Sequence, residues 1–264
     1  MTQPMPAYRV SENTVPPPEP AQDSSKDRLI VALDVATKAE ALRLVEDLDG
    51  LVSFFKVGYQ LFLAEGMGFV RELVRGGKRV FLDLKMDDVE ETISLAVAII
   101  AAENVRFLTI HGSGATARAA HEGRGPSDYP KILSVTLLTS LDHQDLIDLN
   151  ILGEKGRFTT LDDYVMWRAE QAVTARCDGL IASGSSVAQL RERFGDGPII
   201  VSPGIRQQDD GTDDHKRPAT ARDAMAAGAD YVVVGRPIRN ASNRRRAKAE
   251  SIIEEIEKGM GARR

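Results

Sequence analysis

Cysteine is almost missing from this chain: of 264 residues only Cys177 is one. A single thiol excludes an internal disulfide and any cysteine-ligated zinc cluster. Histidine is scarce too, at four residues, and no histidine or carboxylate cluster has metal-ligand spacing. Long apolar runs are lacking. None approaches the ~18 residues a membrane-spanning helix requires. The N-terminus has no basic start leading into an apolar stretch, which argues against a secretory signal. Positive charge is not in excess, since 34 Lys plus Arg against 39 Asp plus Glu leaves a net −5. That argues against a nucleic-acid binder acting through its overall field. Hydrophobic residues, by contrast, make up 42% of the chain, ample for a core. The expectation is a folded cytoplasmic protein with neither a membrane nor a nucleic acid as partner.

Residues 1–26 are set apart by Pro4, Pro6, Pro16, Pro17, Pro18 and Pro20. They lack a periodic apolar pattern, so they are expected to form a flexible tail. From Arg28 onward, short apolar or β-branched runs alternate with stretches of helical period, the pattern of βα units. The runs are Leu29–Leu33, Ser53–Val57, Arg79–Leu84, Phe107–Ile110, Ile132–Thr136, Gly179–Ala182, Ile199–Val201 and Tyr231–Val234. Helices are predicted at Lys38–Leu48, Val89–Ala102, Asp163–Arg176, Ala221–Ala227 and about Ala247–Met260. The Leu137–Asp162 connection is too long for a simple loop and should hold an extra helix. Several strands are apolar throughout, as parallel strands buried on both faces are. Eight strand–helix units predict a single (β/α)8 TIM-barrel domain over residues 27–264; a doubly wound open sheet is the rival arrangement.

In such a barrel the chemistry lies at the C-terminal ends of the strands. The first strand ends in Asp34, the second carries Lys56 before Val57-Gly58, and the third runs through Asp83 and Lys85 to Asp88. Asp83 and Lys85 are two apart and face the same way. They form either a structural ion pair or, if they point inward, a charged pair at the barrel mouth that Lys56 flanks. Asp88 also fits a helix N-cap, with Glu91 completing a capping box. The fourth strand ends in His111, read as a hydrogen-bonded strand-end histidine in preference to a base. The fifth strand runs into Thr139-Ser140. The seventh ends in Pro203-Gly204-Ile205-Arg206 and the eighth in Gly235-Arg236. Glycines that admit backbone amides beside bidentate arginines suit a phosphate, and two such loops in register favour that over ordinary surface arginines. Gly112-Ser113-Gly114-Ala115-Thr116-Ala117 imitates a dinucleotide fingerprint but lacks the acidic residue that would hold a ribose. Arg244-Arg245-Arg246 is read as a solvated run.

Taken in order, Leu33-Asp34, Phe55-Lys56-Val57-Gly58, Asp83-x-Lys85-x-x-Asp88, Leu138-Thr139-Ser140, Pro203-Gly204-Ile205-Arg206 and Val234-Gly235-Arg236 resemble the orotidine 5′-phosphate decarboxylase family. The likeness runs from about Arg28 to the C-terminus. Asp-x-Lys-x-x-Asp by itself marks a wider suprafamily whose magnesium-dependent members, sugar-phosphate decarboxylases and aldolases, typically carry glutamate where this chain has Lys56. The resemblance implies decarboxylation of orotidine 5′-phosphate to UMP and CO2, the last step of de novo pyrimidine nucleotide synthesis. It implies no cofactor, no metal, and a homodimer that shares its active site across the interface. It makes Lys56, Asp83, Lys85 and Asp88 a tetrad of alternating charge, with Lys85 as proton donor and Asp88 reaching in from the partner subunit. Asp34 and Lys56 would hold the ribose, with Thr92 from across the interface. Thr139 would hold the pyrimidine, and Arg206, Gly235 and Arg236 the phosphate. Three departures stand out: Val89 for the usual isoleucine, Glu90-Glu91 for the usual Pro-Asn, and His215 where the phosphate loop usually has glutamine. A catalytically silent nucleotide-binding barrel is the alternative of another class.

Overall fold

The structure, a computed structural model, describes residues 24–184, 186–207 and 219–263. The eight expected strands close one parallel barrel in sequence order, which rules out the open doubly wound sheet. They are β1 (Leu29–Ala32), β2 (Phe54–Gly58), β3 (Arg79–Met86), β4 (Phe107–Ile110), β5 (Lys131–Val135), β6 (Gly179–Ile181), β7 (Ile199–Ser202) and β8 (Tyr231–Val234). The helices are α1 (Lys38–Asp47), α2 (Tyr59–Arg75), α3 (Glu90–Ala101), α4 (Gly114–Arg124), α5 (His143–Asp148), α6 (Leu161–Thr174), α7 (Ser186–Phe194), α8 (Ala221–Ala226), α9 (Arg236–Arg239) and α10 (Arg245–Ala262). The extra helix expected between Leu137 and Asp162 is α5, whose N-cap Asp142 accepts a hydrogen bond from the Asp145 N–H. No helix among the described residues is long and apolar enough to cross a membrane.

Strand side chains alternate between two cores. Val31, Phe55, Val57, Val80, Leu82, Leu108 and Val232 point outward and pack under the helices. Ile30, Phe54, Phe81, Phe107, Leu133, Val201 and Tyr231 point inward and fill the barrel. Edge-to-face contacts join Phe107 to Tyr231 and to Phe81, with ring centroids 5.2 and 5.9 Å apart. Each fully buried ring contributes roughly 1.5–3 kcal/mol. The interior is therefore a packed floor, and any binding site must lie above it.

Residues 1–23 of the expected tail lie outside the described residues. Residues 24–26, assigned to that tail, instead belong to a capped turn over Ser25–Arg28. Asp27 in that turn takes the Arg79 guanidinium at 2.6 Å and closes the bottom of the barrel. The basic run is solvated as expected, with Arg244 and Arg246 exposed, while the half-buried Arg245 pairs with Asp47 at 2.7 Å.

Candidate active site

The inward phase that places Phe54 and Phe81 in the barrel floor carries Lys56 and Asp83 into the layer above. On β1 the same phase runs from Ala32 to Asp34. These charges meet at the mouth. Lys56 Nζ lies 2.9 Å from Asp34 Oδ1 and 3.3 Å from Asp83 Oδ2, while Lys85 Nζ lies 2.8 Å from Asp83 Oδ1. The sequence expectation of a facing Asp83–Lys85 pair flanked by Lys56 holds, and the row extends to Asp34. Gly58 leaves space for it: a Cβ there would stand 3.0 Å from Asp34 Oδ1 and 3.1 Å from Lys56 Nζ.

Lys85 is held in an unusual backbone conformation, with φ at 42°. Between Leu82 and Met86 the register of β3 against β4 slips, so that Leu82 pairs with Leu108 but Met86 pairs with Ile110. A bulge of this kind re-aims a side chain and leaves backbone groups outside the ladder. The Lys85 N–H finds Thr109 Oγ1 at 2.9 Å. The fully buried Thr109 hydroxyl in turn donates to Asp83 Oδ1, also at 2.9 Å.

Burial by itself would raise the Asp83 carboxyl, but the charges of Lys56 and Lys85, with hydrogen bonds from Lys85 and Thr109, hold it below the usual carboxylate range. Burial would likewise lower the Lys56 ammonium, yet Asp83 and Asp34 raise it above the ordinary lysine value. Both groups are therefore charged near neutral pH. Burial and the Arg168 guanidinium depress His111, against the opposing pull of Asp87. The His111 backbone N–H donates to the Met86 carbonyl at 3.0 Å, and the residue does not line the cavity described next.

Above the charged row opens a cavity of about 530 Å³. Asp34, Lys56, Asp83, Lys85, Thr139, Gly204, Arg206, Gly235 and Arg236 all line it, so the structure brings these predicted site residues together. Gly204, at φ 77°, turns the chain beyond β7, and Gly235 caps α9 with Pro237 in the first turn. Opposite the charges, Val135, Leu137, Leu138 and Ile181 form an apolar wall. Two further charged or aromatic lining residues, Arg239 and Tyr59, were not anticipated. Arg239 donates to the Asp34 carbonyl and follows Arg236 by three residues, a spacing that puts both on one helix face. Tyr59 donates its hydroxyl to the Leu84 carbonyl, beside the bulge. Thr109 was also missed, although it shares its inward phase with Phe107.

Asp88 and Thr92 stand apart. Both are exposed and neither lines the cavity. The N-cap reading of Asp88 is overturned: the N-cap of α3 is Val89, whose side chain has no acceptor to offer, and the Asp88 carboxylate takes the Val89 N–H at 2.7 Å instead of a first-turn amide. His215 lies outside the described residues.

A closed (β/α)8 barrel with a row of fixed charges at its mouth and arginines on the loops after its last strands has the layout of a barrel enzyme acting on a phosphorylated substrate. Residues 27–252 match the model of the orotidine 5′-phosphate decarboxylase / HUMPS family. An orotidine 5′-phosphate decarboxylase of Nitrobacter winogradskyi is 46% identical over 234 residues, which is 89% of this chain and 94% of that protein. The enzyme of that name from Methylobacterium nodulans is 42% identical over 90% of this chain and 98% of its own. The crystal structure of the Lactobacillus acidophilus orotidine 5′-phosphate decarboxylase superposes with a TM-score of 0.73 at 31% identity, covering 86% of this chain and 98% of that one. The chain belongs to the orotidine 5′-phosphate decarboxylase / HUMPS family.

Proposed function

We infer that this protein decarboxylates orotidine 5′-phosphate to UMP and CO2, the last step of de novo pyrimidine nucleotide synthesis, as a single catalytic unit over residues 27–264. The observation that carries this reading is the charge of the cavity. Among the described residues, five cationic side chains, Lys56, Lys85, Arg206, Arg236 and Arg239, line it beside the carboxylates of Asp34 and Asp83. Orotidine 5′-phosphate brings a phosphate dianion and a carboxylate, three negative charges in all. A magnesium-dependent sugar-phosphate reaction is disfavoured because the Lys56 ammonium already fills the space between the Asp34 and Asp83 carboxylates.

In the reaction the bond from C6 of the pyrimidine to its carboxylate breaks. CO2 leaves, the electron pair stays on C6, and Lys85 Nζ delivers a proton there. The C6 pair lies in a ring orbital that resonance delocalises poorly, so fixed positive charge must stabilise it. An ammonium that already sits in place needs no reorganisation as that charge develops. One such contact near 4 Å is worth roughly 4 kcal/mol at an effective dielectric of about 20. Very slow reactions need on the order of 20 kcal/mol. The remainder comes from phosphate held by Arg206, Arg236 and the Gly235 amide, ribose held by Asp34 and Lys56, and pyrimidine held by Thr139 against the apolar wall.

The same reading makes the active protein a homodimer. Val89 at the N-cap of α3 and Leu95 and Ile99 on it, with Tyr59 and Leu63 on α2, are large apolar side chains left exposed on the single chain. Exposed apolar groups gathered on neighbouring helices mark an interaction surface. Asp88, two residues before α3, and Thr92 in its first turn adjoin that surface, so pairing through it would carry both into the partner's site. Asp88 then completes the charged tetrad and Thr92 joins the ribose contacts. The single cysteine agrees with a cytoplasmic setting.

The test is conversion of orotidine 5′-phosphate followed by pyrimidine absorbance, with and without EDTA, beside Lys85→Ala. Rapid turnover that is indifferent to the chelator and abolished by Lys85→Ala is expected. Tight UMP binding without turnover would indicate a silent nucleotide-binding barrel. Turnover of sugar phosphates that requires magnesium would overturn the assignment.

A further inference from the structure

We propose that Thr109 is a positioning residue that locks Lys85 and Asp83 into one preorganised unit, and that its hydroxyl, more than its bulk, sets the turnover of the site. Thr109 lies on β4, is fully buried and does not line the cavity, so it has no access to substrate. It makes two hydrogen bonds at once. Its Oγ1 accepts from the Lys85 N–H at 2.9 Å and donates to Asp83 Oδ1 at 2.9 Å. Lys85 Nζ returns to that same Asp83 oxygen at 2.8 Å. The result is a closed ring in which one hydroxyl holds the backbone of the lysine and the carboxylate its ammonium faces.

The ring matters because Lys85 sits where the sheet cannot hold it. Its positive φ and the slip between Leu82 and Met86 remove it from the regular β3–β4 pairing, and a non-glycine residue persists in that region only when its surroundings over-determine it. Among the described residues, Thr109 is the hydrogen-bond partner of the displaced Lys85 N–H. Valine has nearly the shape of threonine but can neither accept from that N–H nor donate to Asp83. It would leave the Lys85 N–H without its acceptor and the Asp83 carboxylate without the hydrogen bond that ties it to β4. Displacements of about 1 Å at a reacting group lower rates by up to about 100-fold.

The inference rests on Lys85 acting in the decarboxylation proposed above, and its test separates the two. Wild-type protein, Thr109→Val, Thr109→Ala and Thr109→Ser are compared for steady-state turnover of orotidine 5′-phosphate. Amide hydrogen exchange at Lys85 is read without substrate. Thr109→Val and Thr109→Ala are expected to lower kcat by about 10- to 100-fold while KM, set chiefly by the phosphate contacts after β7 and β8, changes less than about threefold. Exchange at the Lys85 amide should quicken at least about tenfold, as expected for a donor that has lost its acceptor. Thr109→Ser, which keeps the hydroxyl, should restore both readouts. Unchanged exchange in Thr109→Val, or a Thr109→Ser variant as slow as Thr109→Val, overturns the proposal. Absence of turnover in the wild-type protein overturns the activity instead, and the exchange measurement then still decides the role of Thr109.

Discussion

Replacing Lys56 by methionine removes the ammonium between Asp34 and Asp83 while keeping most of its length and apolar stem. In the native protein Lys56 Nζ stands 2.9 Å from Asp34 and 3.3 Å from Asp83. At an effective dielectric near 20, each contact has a gross attraction of about 5 kcal/mol. The net loss is smaller, because methionine no longer requires a buried charge and because the two carboxylates differ in what remains to them. Asp34, with its side chain 43% exposed, can turn to water; Asp83, at 15%, cannot, but keeps Lys85 and Thr109. Breaking a buried pair typically costs 3–5 kcal/mol when the remaining charge is uncompensated. With half of that compensation retained, Lys56→Met should destabilise by about 1.5–2.5 kcal/mol, a fall in Tm of roughly 3–10 °C for a domain of this size.

The pH dependence sharpens the test. Asp83 is depressed in the folded state, so its contribution is present above the unfolded value near 3.9 and lost as pH falls through the lower folded value. Lys56 is raised, so its contribution is complete below the unfolded value near 10.4 and lost as pH rises through the higher folded value. The stability gap between wild type and Lys56→Met should therefore be flat between about pH 5 and 10 and narrow outside that window. Thermal denaturation by circular dichroism across this range reads both. A Tm within about 1 °C of wild type at pH 7, or a gap that persists undiminished at pH 2, would refute the reasoning.

Other outcomes follow from the same geometry. Arg236→Ala should raise KM for orotidine 5′-phosphate by about 10- to 100-fold, since a charge-assisted hydrogen bond is worth roughly 1.5–3 kcal/mol, and inorganic phosphate should inhibit the variant more weakly than wild type. On the homodimer proposed above, Ile99→Asp on α3 should shift the protein from dimer to monomer by sedimentation velocity and reduce turnover by withdrawing Asp88 and Thr92 from the partner's cavity. Burial pushes the Cys177 thiol up to about 12, so the native protein should resist iodoacetamide at pH 8 and become labelled only on unfolding.

The strand pattern makes the barrel legible in the sequence itself. Parallel strands covered on both faces read as short apolar runs, and Phe107–Ile110 and Tyr231–Val234 coincide with β4 and β8. Period-2 alternation likewise allowed Asp83 and Lys85 to be assigned to one face, and the glycine–arginine pairs after β7 and β8 were visible as local composition. What the linear pattern could not contain was how the strands are staggered. The slip between Leu82 and Met86 depends on pairing with β4, a contact between segments more than twenty residues apart, and it decides that the Lys85 amide meets Thr109. For the same reason nothing local marked Arg239, whose guanidinium reaches the Asp34 carbonyl only because β8 closes against β1. Alternation along a strand is a property of the backbone, written residue by residue. Which side chains meet across strands depends on register and closure, and these arise only when the whole barrel packs around its aromatic floor.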